Sequence, residues 1–159
     1  MGFFAKLFGN KATRDNKALQ PILNKALEAY ENIKTLDIDA LRHKTVEFKE
    51  YINNYIAEDE ARIKELKIKA ETEDLDLEKK NEIFEQVDKL EKQQLEKIEE
   101  ALNNILPEAF AVLKETAKRF KENEVVEATA TELDRNLAAK FDHINIEGDK
   151  VYYNNSWLA

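Results

Sequence analysis

The sequence predicts a mainly α-helical protein, on three observations. Charged residues make up 36% of the 159 residues, while 3 glycines and 2 prolines leave little turn chemistry for an all-β fold. Apolar residues recur at helical spacing over long stretches. Near the C-terminus the apolar pattern changes to alternation. We therefore expect a helical bundle with a long, charged antiparallel helical hairpin and one small β-hairpin near the C-terminus.

The composition also narrows the function. A net charge of -8 argues against nucleic-acid binding, which needs clustered lysine and arginine. The absence of cysteine excludes disulfides and thiolate metal sites. No apolar run is long enough to span a bilayer, and the N-terminus lacks the pattern of a signal peptide. We expect a soluble cytosolic chain.

The first predicted helix covers residues from about 17 to 34. Its apolar residues keep helical spacing from Leu19 to Ile33. Pro21 suits a position in or near the first turn, where a missing N–H has no helical partner. Ahead of this helix, Gly9 provides a natural end for an N-terminal helical segment.

A second and a third helix are predicted on either side of "ETEDLD", residues 71–76. Asp37 or Asp39 can cap the second helix, and Asp74 or Asp76 the third. Two long helices joined by a short break predict an antiparallel hairpin. The charges of the third helix form a solvated face, and its apolar spacing is heptad-like but imperfect.

Pro107 predicts the start of a fourth helix, in which Phe110 and Leu113 would be core residues. After Phe120, the stretch "EVVEATATELDRNLAAKF" predicts a further helix with a poorly defined start, because β-branched residues disfavour helix.

A β-hairpin is predicted for residues 144–153. Ile144 and Ile146 alternate before the two-residue turn Gly148-Asp149, and the alternation resumes at Val151. An isolated two-stranded hairpin is marginal in water, so we expect it to pack on further structure.

The sequence predicts no catalytic site and no metal site. Only His43 and His143 could serve as a base for a nucleophile, and both are better explained as surface or capping residues. His43 and Glu47 lie one turn apart, but two ligands do not close a metal site. The three glycines cannot form a Walker A loop or a dinucleotide fingerprint.

The first seventeen residues are basic, with four lysine or arginine residues against one aspartate. Phe3, Phe4, Leu7 and Phe8 share one helical face. This pattern is typical of a segment that lies on a membrane surface or docks on a partner. The alternative is that these side chains complete the core of the domain.

Two stretches resemble SecA, the ATPase motor of bacterial preprotein translocation. "LRHKTVEFK", residues 41–49, is similar to the L-R-x-K-T-x-E-F-[KR] segment near the N-terminus of that family. "LPEAFAVLKETAKR", residues 106–119, resembles the L-P-E-A-F-A-V-x-[RK]-E-x-[AS]-x-R segment that follows it. The opening "MGFFAKLFGNK" is similar to the N-terminal segment of the family.

The resemblance implies an N-terminal fragment divided into two regions. Residues 1–16 would be the basic and aromatic segment, and residues 17–159 the first part of the nucleotide-binding motor domain. Within it, residues 50–104 resemble an insertion of the kind carried by SecA of Bacteroidetes-like bacteria, and residues 121–159 a second one. The adenine-contacting and "GEGKT" phosphate-loop segments of the family do not occur in the sequence. We therefore expect the nucleotide motifs to lie beyond Ala159, in the parent protein.

What the resemblance implies for function belongs mostly to the parent protein. The parent would be an ATPase, with ATP and Mg²⁺ as cofactors, that drives preproteins through the SecYEG channel. The fragment alone would have no catalytic residue, cofactor or metal. It would be cytoplasmic and peripheral on the cytoplasmic face of the inner membrane, where anionic phospholipids and a homodimer partner are the implied contacts.

The resemblance names two sets of residues. The expected membrane or channel contacts are Phe3, Phe4, Lys6, Leu7, Phe8, Lys11 and Arg14. The expected scaffold residues of the two signatures are Leu41, Arg42, Lys44, Thr45, Glu47, Phe48, Leu106, Pro107, Glu108, Phe110 and Arg119. Phe110, Val112 and Leu113 would pack against a nucleotide-binding body that lies beyond this sequence.

Two alternatives to a SecA fragment stay open at this point. The long charged hairpin and the lack of any active site are also typical of a free-standing helical interaction module. The first eight residues alone would suit a peripheral membrane adaptor.

Overall fold

A computed structural model describes the backbone of residues 11–155 and the side chains of residues 15–155. Within this range the chain forms four helices and three strands, so the predicted mainly α class is confirmed. The helices are α1 (Lys11–Ile33), α2 (Ile38–Thr72), α3 (Leu77–Glu122) and α4 (Glu132–Ala138); the strands are β1 (Val125–Thr129), β2 (Ile144–Glu147) and β3 (Lys150–Asn154).

The chain divides into two compact units. Among the described residues, unit 1 combines those up to Lys44 with those from Leu106 to Asn155, and unit 2 is Thr45–Ile105. Whether residues 50–104 and 121–159 are insertions, and whether a domain boundary follows residue 16, remain predictions. In the structure α1 runs through that boundary.

Two aspartates start the long helices. The backbone N–H of Ala40 donates to Asp37 Oδ1 at 2.7 Å, and that of Lys79 donates to Asp76 Oδ1 at 2.8 Å. Each carboxylate satisfies an N–H that has no partner within its own helix. Of the two candidates predicted for each cap, the structure uses Asp37 and Asp76. Asp39 has another role, described below.

Pro21 and Pro107 do not start helices. Pro21 lies inside α1, which begins at Lys11, and Pro107 lies inside α3, so the predicted fourth helix is wrong. A proline inside a helix leaves the carbonyl four residues earlier without its helical donor. The residues at those positions, Lys17 and Asn103, are exposed, so water can reach their carbonyls. The helical apolar pattern then continues through each proline.

Unit 2 is an antiparallel helical hairpin with its own core, as predicted. Its buried residues come from both helices, with Leu75 and Leu90 packed against them: Ile63, Leu66 and Ala70 on α2, and Ile83 and Val87 on α3. Ion pairs at 2.7 Å join Lys67 to Glu91 and Lys97 to Asp59. The order of these pairs along the two helices reverses, which establishes the antiparallel direction.

Unit 1 contains a three-stranded antiparallel sheet with the order β1-β3-β2. The predicted hairpin is β2 and β3, and Gly148 in its turn has a φ of 62°, a region that glycine adopts without strain. Strand β1 pairs with the other edge of β3, which is the further structure that the hairpin needs.

The predicted helix after Phe120 is wrong in its first half. Residues Val125–Thr129 form β1, and α4 covers only Glu132–Ala138. Val126 and Ala128 alternate inward, while Val125 and Thr129 are exposed. Burial of every second side chain is the pattern of a strand. The packing of these side chains therefore favours a strand over the predicted helix.

Two apolar clusters form the core of unit 1. One contains Ile33, Leu41 and Ala111; the other contains Ala128, Ile144 and Val151. Ile38, in the first turn of α2, packs against both clusters. The N-terminal turns of α2 therefore join the helices of unit 1 to its sheet.

No helix in residues 11–155 is both long and apolar enough to cross a bilayer.

Candidate functional site

The most concentrated polar site of unit 1 surrounds Asp134, the third residue of α4. Its carboxylate is completely buried. Both oxygens accept hydrogen bonds from Arg42 Nη2, at 2.8 and 2.6 Å. The backbone N–H and hydroxyl of Thr131 donate to it at 2.7 and 2.8 Å, and the Tyr153 hydroxyl also donates to it. One carboxylate therefore joins α2, α4 and β3.

Asp134 is placed by a capping box. Thr131 has extended backbone angles and accepts a hydrogen bond from the Asp134 backbone N–H, while the Asp134 side chain accepts one from the Thr131 backbone N–H. This reciprocal pairing satisfies two N–H groups at the start of α4. The local sequence thus fixes the direction of the carboxylate before Arg42 reaches it.

The surroundings of Asp134 favour its ionised form. Burial alone would raise the pKa of this carboxyl, but the hydrogen bonds from Tyr153, Arg42 and Thr131 outweigh burial and lower it from 3.8 to about 2. Burial and the neighbouring Asp134 carboxylate raise the pKa of Tyr153 to about 12. Tyr153 therefore keeps its proton at neutral pH and acts as a donor.

A second carboxylate connects α2 to the sheet. Asp39 accepts hydrogen bonds from the Thr129 backbone N–H at 3.0 Å and from the Thr129 hydroxyl at 2.6 Å. These bonds, led by the hydroxyl, lower the pKa of Asp39 in spite of partial burial. Arg42 also donates to the Thr129 carbonyl at 2.8 Å. One turn of α2 thus holds the end of β1 through two side chains.

A third carboxylate, Glu115, is buried on α3. It accepts hydrogen bonds from Arg119 Nε and from the Tyr30 hydroxyl, both at 2.9 Å. Arg119 Nη2 also donates to the Leu36 carbonyl at 2.6 Å. Burial would raise the pKa of Glu115, but these donors lower it overall. The signature residue Arg119 therefore fastens α3 to the loop between α1 and α2.

The two sequence signatures meet in unit 1. Lys44 Nζ, from the first signature, lies 3.1 Å from Glu108 Oε1 of the second. Leu41 is buried against Ala111, which lies within the second signature. Thr45, Glu47 and Phe48 continue α2 into unit 2.

The remaining predicted residues fall into two groups. Phe3, Phe4, Lys6, Leu7 and Phe8 lie outside the described residues, as do the side chains of Lys11 and Arg14. Leu106, Pro107 and Glu108 are half-buried on α3.

The predicted position of the nucleotide motifs is also outside the structure. Those motifs are expected beyond Ala159, whereas the last described residue is Asn155. The place of the nucleotide site therefore stays a prediction.

Phe110 and Leu113 are not core residues, contrary to the first prediction. They are 51% and 63% exposed, because α3 turns Ala111 and Glu115 inward instead. Phe110 lines an open apolar groove of about 290 Å³ with Leu19, Ile22, Leu23, Ala26, Leu27, Ala111 and Lys114. We call this surface the α1/α3 groove.

The described residues hold no group of three or more histidine, aspartate or glutamate side chains able to bind a metal ion. Each of the carboxylates Asp134 and Glu115 is already surrounded by donors. The arrangement is suited to fastening secondary-structure elements together.

Sequence reasoning missed Asp134, Glu115 and Tyr153. A capping box, T-x-x-D at residues 131–134, was visible in the sequence. Nothing in the sequence indicated that Arg42, 92 residues earlier, would bind that carboxylate.

Comparison with known proteins gives the class of this protein. Over 157 residues the chain is 48% identical to the protein translocase subunit of Bacteroides fragilis, and over 158 residues 50% identical to that of Phocaeicola vulgatus; each match covers 99% of the chain. The Flavobacterium psychrophilum subunit is 45% identical over 95% of the chain. The chain is thus related to protein translocase subunits.

All three of these relatives are SecA, and the chain belongs to the SecA family as a fragment. It spans about 14% of the length of the first two relatives. Since these two alignments leave at most two residues out, they include the hairpin of unit 2. No protein-family model matches the chain, and no solved structure does.

We expect Arg42→Ala to lower the free energy of unfolding by about 3–5 kcal/mol, because it leaves the buried Asp134 charge without its main partner. Chemical denaturation followed by circular dichroism measures this. Arg62→Ala is the control: Arg62 pairs with Glu65 at 2.6 Å in solvent, and its loss should cost less than about 1 kcal/mol. Equal costs for the two variants would contradict the role assigned to Asp134.

We also expect an acid-dependent loss of stability from Asp134. Its folded-state pKa of about 2 lies below the ordinary 3.8, so its contribution is complete above about pH 4 and is lost as the pH falls towards 2. The difference between these two pKa values corresponds to a contribution of about 2 kcal/mol to the free energy of unfolding. Denaturation between pH 5 and 2 measures it. Tyr153→Phe removes one hydrogen-bond donor to Asp134 and should weaken the dependence of the unfolding free energy on pH. An unchanged dependence would contradict the role assigned to Asp134.

Proposed function

We propose that this chain is the N-terminal portion of the SecA motor, which uses ATP to move preproteins through the SecYEG channel. The observation that carries the proposal is the match to SecA over 99% of the chain. The two sequence signatures, in the order of the N-terminal region, support this position. The parent is then a protein-translocating ATPase that uses ATP and Mg²⁺, whereas the three glycines of this chain form no phosphate loop.

In this proposal unit 1 is a scaffold. The buried carboxylate of Asp134 binds an arginine of the first signature, and that of Glu115 binds an arginine of the second. Lys44 of the first signature also pairs with Glu108 of the second. Such charge-assisted contacts fix the positions of α1, α2, α3 and the sheet. A rigid base of this kind suits a motor domain whose nucleotide motifs lie beyond Ala159.

The α1/α3 groove is then the packing surface for the remainder of the SecA polypeptide. Its lining is apolar except for Lys114, and Leu19, Leu23 and Leu27 are each about half exposed. The chain covers only 14% of its relatives, so most of the polypeptide lies outside this structure. Burial of this surface by that polypeptide would remove apolar area from water.

A glutamate in the groove tests this packing. Leu23→Glu should leave the stability of the 159-residue chain nearly unchanged, because Leu23 is 50% exposed here. In full-length SecA it should cost about 1–3 kcal/mol and lower the unfolding temperature, because a charge would be buried in a mostly apolar contact. Leu133→Glu, at a 64% exposed position on α4, is the control for both proteins. An equal loss of stability from Leu23→Glu in the two proteins would refute the assignment of the α1/α3 groove as a packing surface.

The N-terminal segment is the proposed contact with anionic phospholipids and the channel. Phe3, Phe4, Leu7 and Phe8 would enter the interface, while Lys6, Lys11 and Arg14 face lipid phosphates. The proposal rests on the apolar and basic pattern of the sequence. It places the parent on the cytoplasmic face of the inner membrane.

Vesicle flotation tests the lipid contact. The 159-residue chain should float with vesicles rich in phosphatidylglycerol and stay behind with pure phosphatidylcholine, because the basic residues need an anionic surface. Phe3→Ala/Phe4→Ala should abolish flotation, whereas Phe141→Ala, which removes an exposed aromatic from unit 1, should not. Flotation that survives the double substitution would remove this role.

A free-standing helical interaction module is the second candidate. The observation in its favour is that unit 2 has a hydrophobic core of its own. Binding of a protein partner through unit 2 alone, with no loss of SecA-dependent translocation when unit 2 is altered, would favour this alternative over a motor scaffold.

A further inference from the structure

The net charge of the chain is concentrated in unit 2. Residues 45–105 contain 18 acidic and 10 basic side chains, a net charge of -8, whereas the other 98 residues contain 15 of each and balance. Unit 2 therefore has a field of one sign, which attracts cationic partners from solution and repels anionic ones. Anionic lipid surfaces and nucleic acids are disfavoured as its partners.

Helix α3 also carries four large apolar side chains in solvent along unit 2. Leu77 is 76% exposed, Phe84 46%, Leu95 67% and Leu102 47%. A helix turns by about 100° per residue, so all four lie within about 20° of one line on the helix, which we call the apolar stripe. The buried residues of α3 in this unit are centred about 100° around the helix from it: Ile83, Val87 and Ala101.

Carboxylates border the apolar stripe on the side away from the core. The sector from about 30° to 110° beyond the stripe holds five exposed acidic residues and one lysine. The acidic residues, which we call the acidic flank, are Glu78, Glu85, Asp88, Glu96 and Glu99, and the lysine is Lys92. Within residues 15–155, none of the five belongs to an ion pair, in contrast to Glu91 and Asp59. The flank is thus open to a cation from outside.

The spacing of the apolar stripe suits a helix better than an extended chain. Its intervals of seven, eleven and seven residues correspond to about 10.5, 16.5 and 10.5 Å along α3. A second helix lying alongside has the same rise per residue, so apolar residues at the same intervals meet all four side chains. Side chains on one face of a strand repeat about every 6.6 Å, which divides none of these intervals evenly.

We propose that the apolar stripe and the acidic flank together bind a basic amphipathic helix of another protein. The partner helix presents an apolar row to the stripe and a neighbouring row of lysine or arginine to the flank, as in the ion pairs that border coiled-coil seams. A second copy of this chain lacks that cationic row, since the positions beside its own stripe hold the five carboxylates.

The proposed complex is transient. Four apolar side chains make a small contact compared with the roughly 20–30 residues of a standard interface. The ion pairs at its border are exposed to solvent, so salt weakens them. This inference does not rest on the membrane or translocation role proposed above.

Fluorescence anisotropy with a labelled peptide tests this surface. The probe is a helical peptide of about 26 residues, with leucine at the intervals of the stripe, lysine along one flank and alanine elsewhere. The 159-residue chain should bind it. Phe84→Ala/Leu95→Ala should raise Kd at least about tenfold, and Glu96→Gln/Glu99→Gln at least about threefold. Added salt should weaken binding by the wild type more than binding by the glutamine variant.

Two matched controls test the selectivity. Glu50→Gln/Glu58→Gln removes the same charge from exposed positions of α2 that point away from its buried residues, and should leave Kd within about twofold of the wild type. A peptide of the same composition with its lysines gathered at one end has no cationic row and should bind at least about threefold more weakly than the probe. Circular dichroism of each variant checks that the helices remain folded.

A probe that fails to bind the wild type would overturn the proposal. So would equal binding of the two peptides, or a Kd that is insensitive to the substitutions in either the apolar stripe or the acidic flank. Binding that is lost instead with Leu23→Ala would assign the contact to the α1/α3 groove.

Discussion

The structure of unit 1 depends on the ionised carboxylate of Asp134. An isolated charge at a fully buried position is strongly unfavourable, so the site persists only because its hydrogen-bond capacity is filled. Arg42, Tyr153 and Thr131 each supply donors from a different part of the fold. The desolvation penalty therefore acts as a geometric constraint, because every element must be in place before the charge is compensated.

Glu115 applies the same principle to α3 and the loop between α1 and α2. It is buried, and it holds Arg119 and Tyr30, while Arg119 reaches the loop between α1 and α2. The apolar clusters around Leu41 and Val151 supply most of the burial, but apolar contacts alone tolerate small shifts between elements. Buried ion pairs with fixed directions restrict those shifts.

Local patterns in the sequence predicted much of the fold. The sequence narrowed each cap to two aspartates, because capping depends on residues within one turn. Of these, Asp37 and Asp76 are the caps in the structure. The Gly148-Asp149 turn was identifiable for the same reason. The errors at Pro107 and at Val125–Thr129 arose where distant packing decided the outcome: Ala101 and Ala111 are buried on either side of Pro107, and β1 has β3 beside it. Arg42 was predicted from resemblance, but its partner could not be, because 92 residues separate them.

The division of the chain has a consequence for the order in which it folds during synthesis. Unit 1 is discontinuous, and Arg42 cannot find Asp134 until 92 further residues have been added. At about 5–20 residues per second this takes roughly 5–20 s on the ribosome. Unit 2 has contacts that are local in sequence, so it can form during that interval. Unit 2 can therefore form before unit 1, whose helix α1 and the first turns of α2 gain their partners only near the end of the segment.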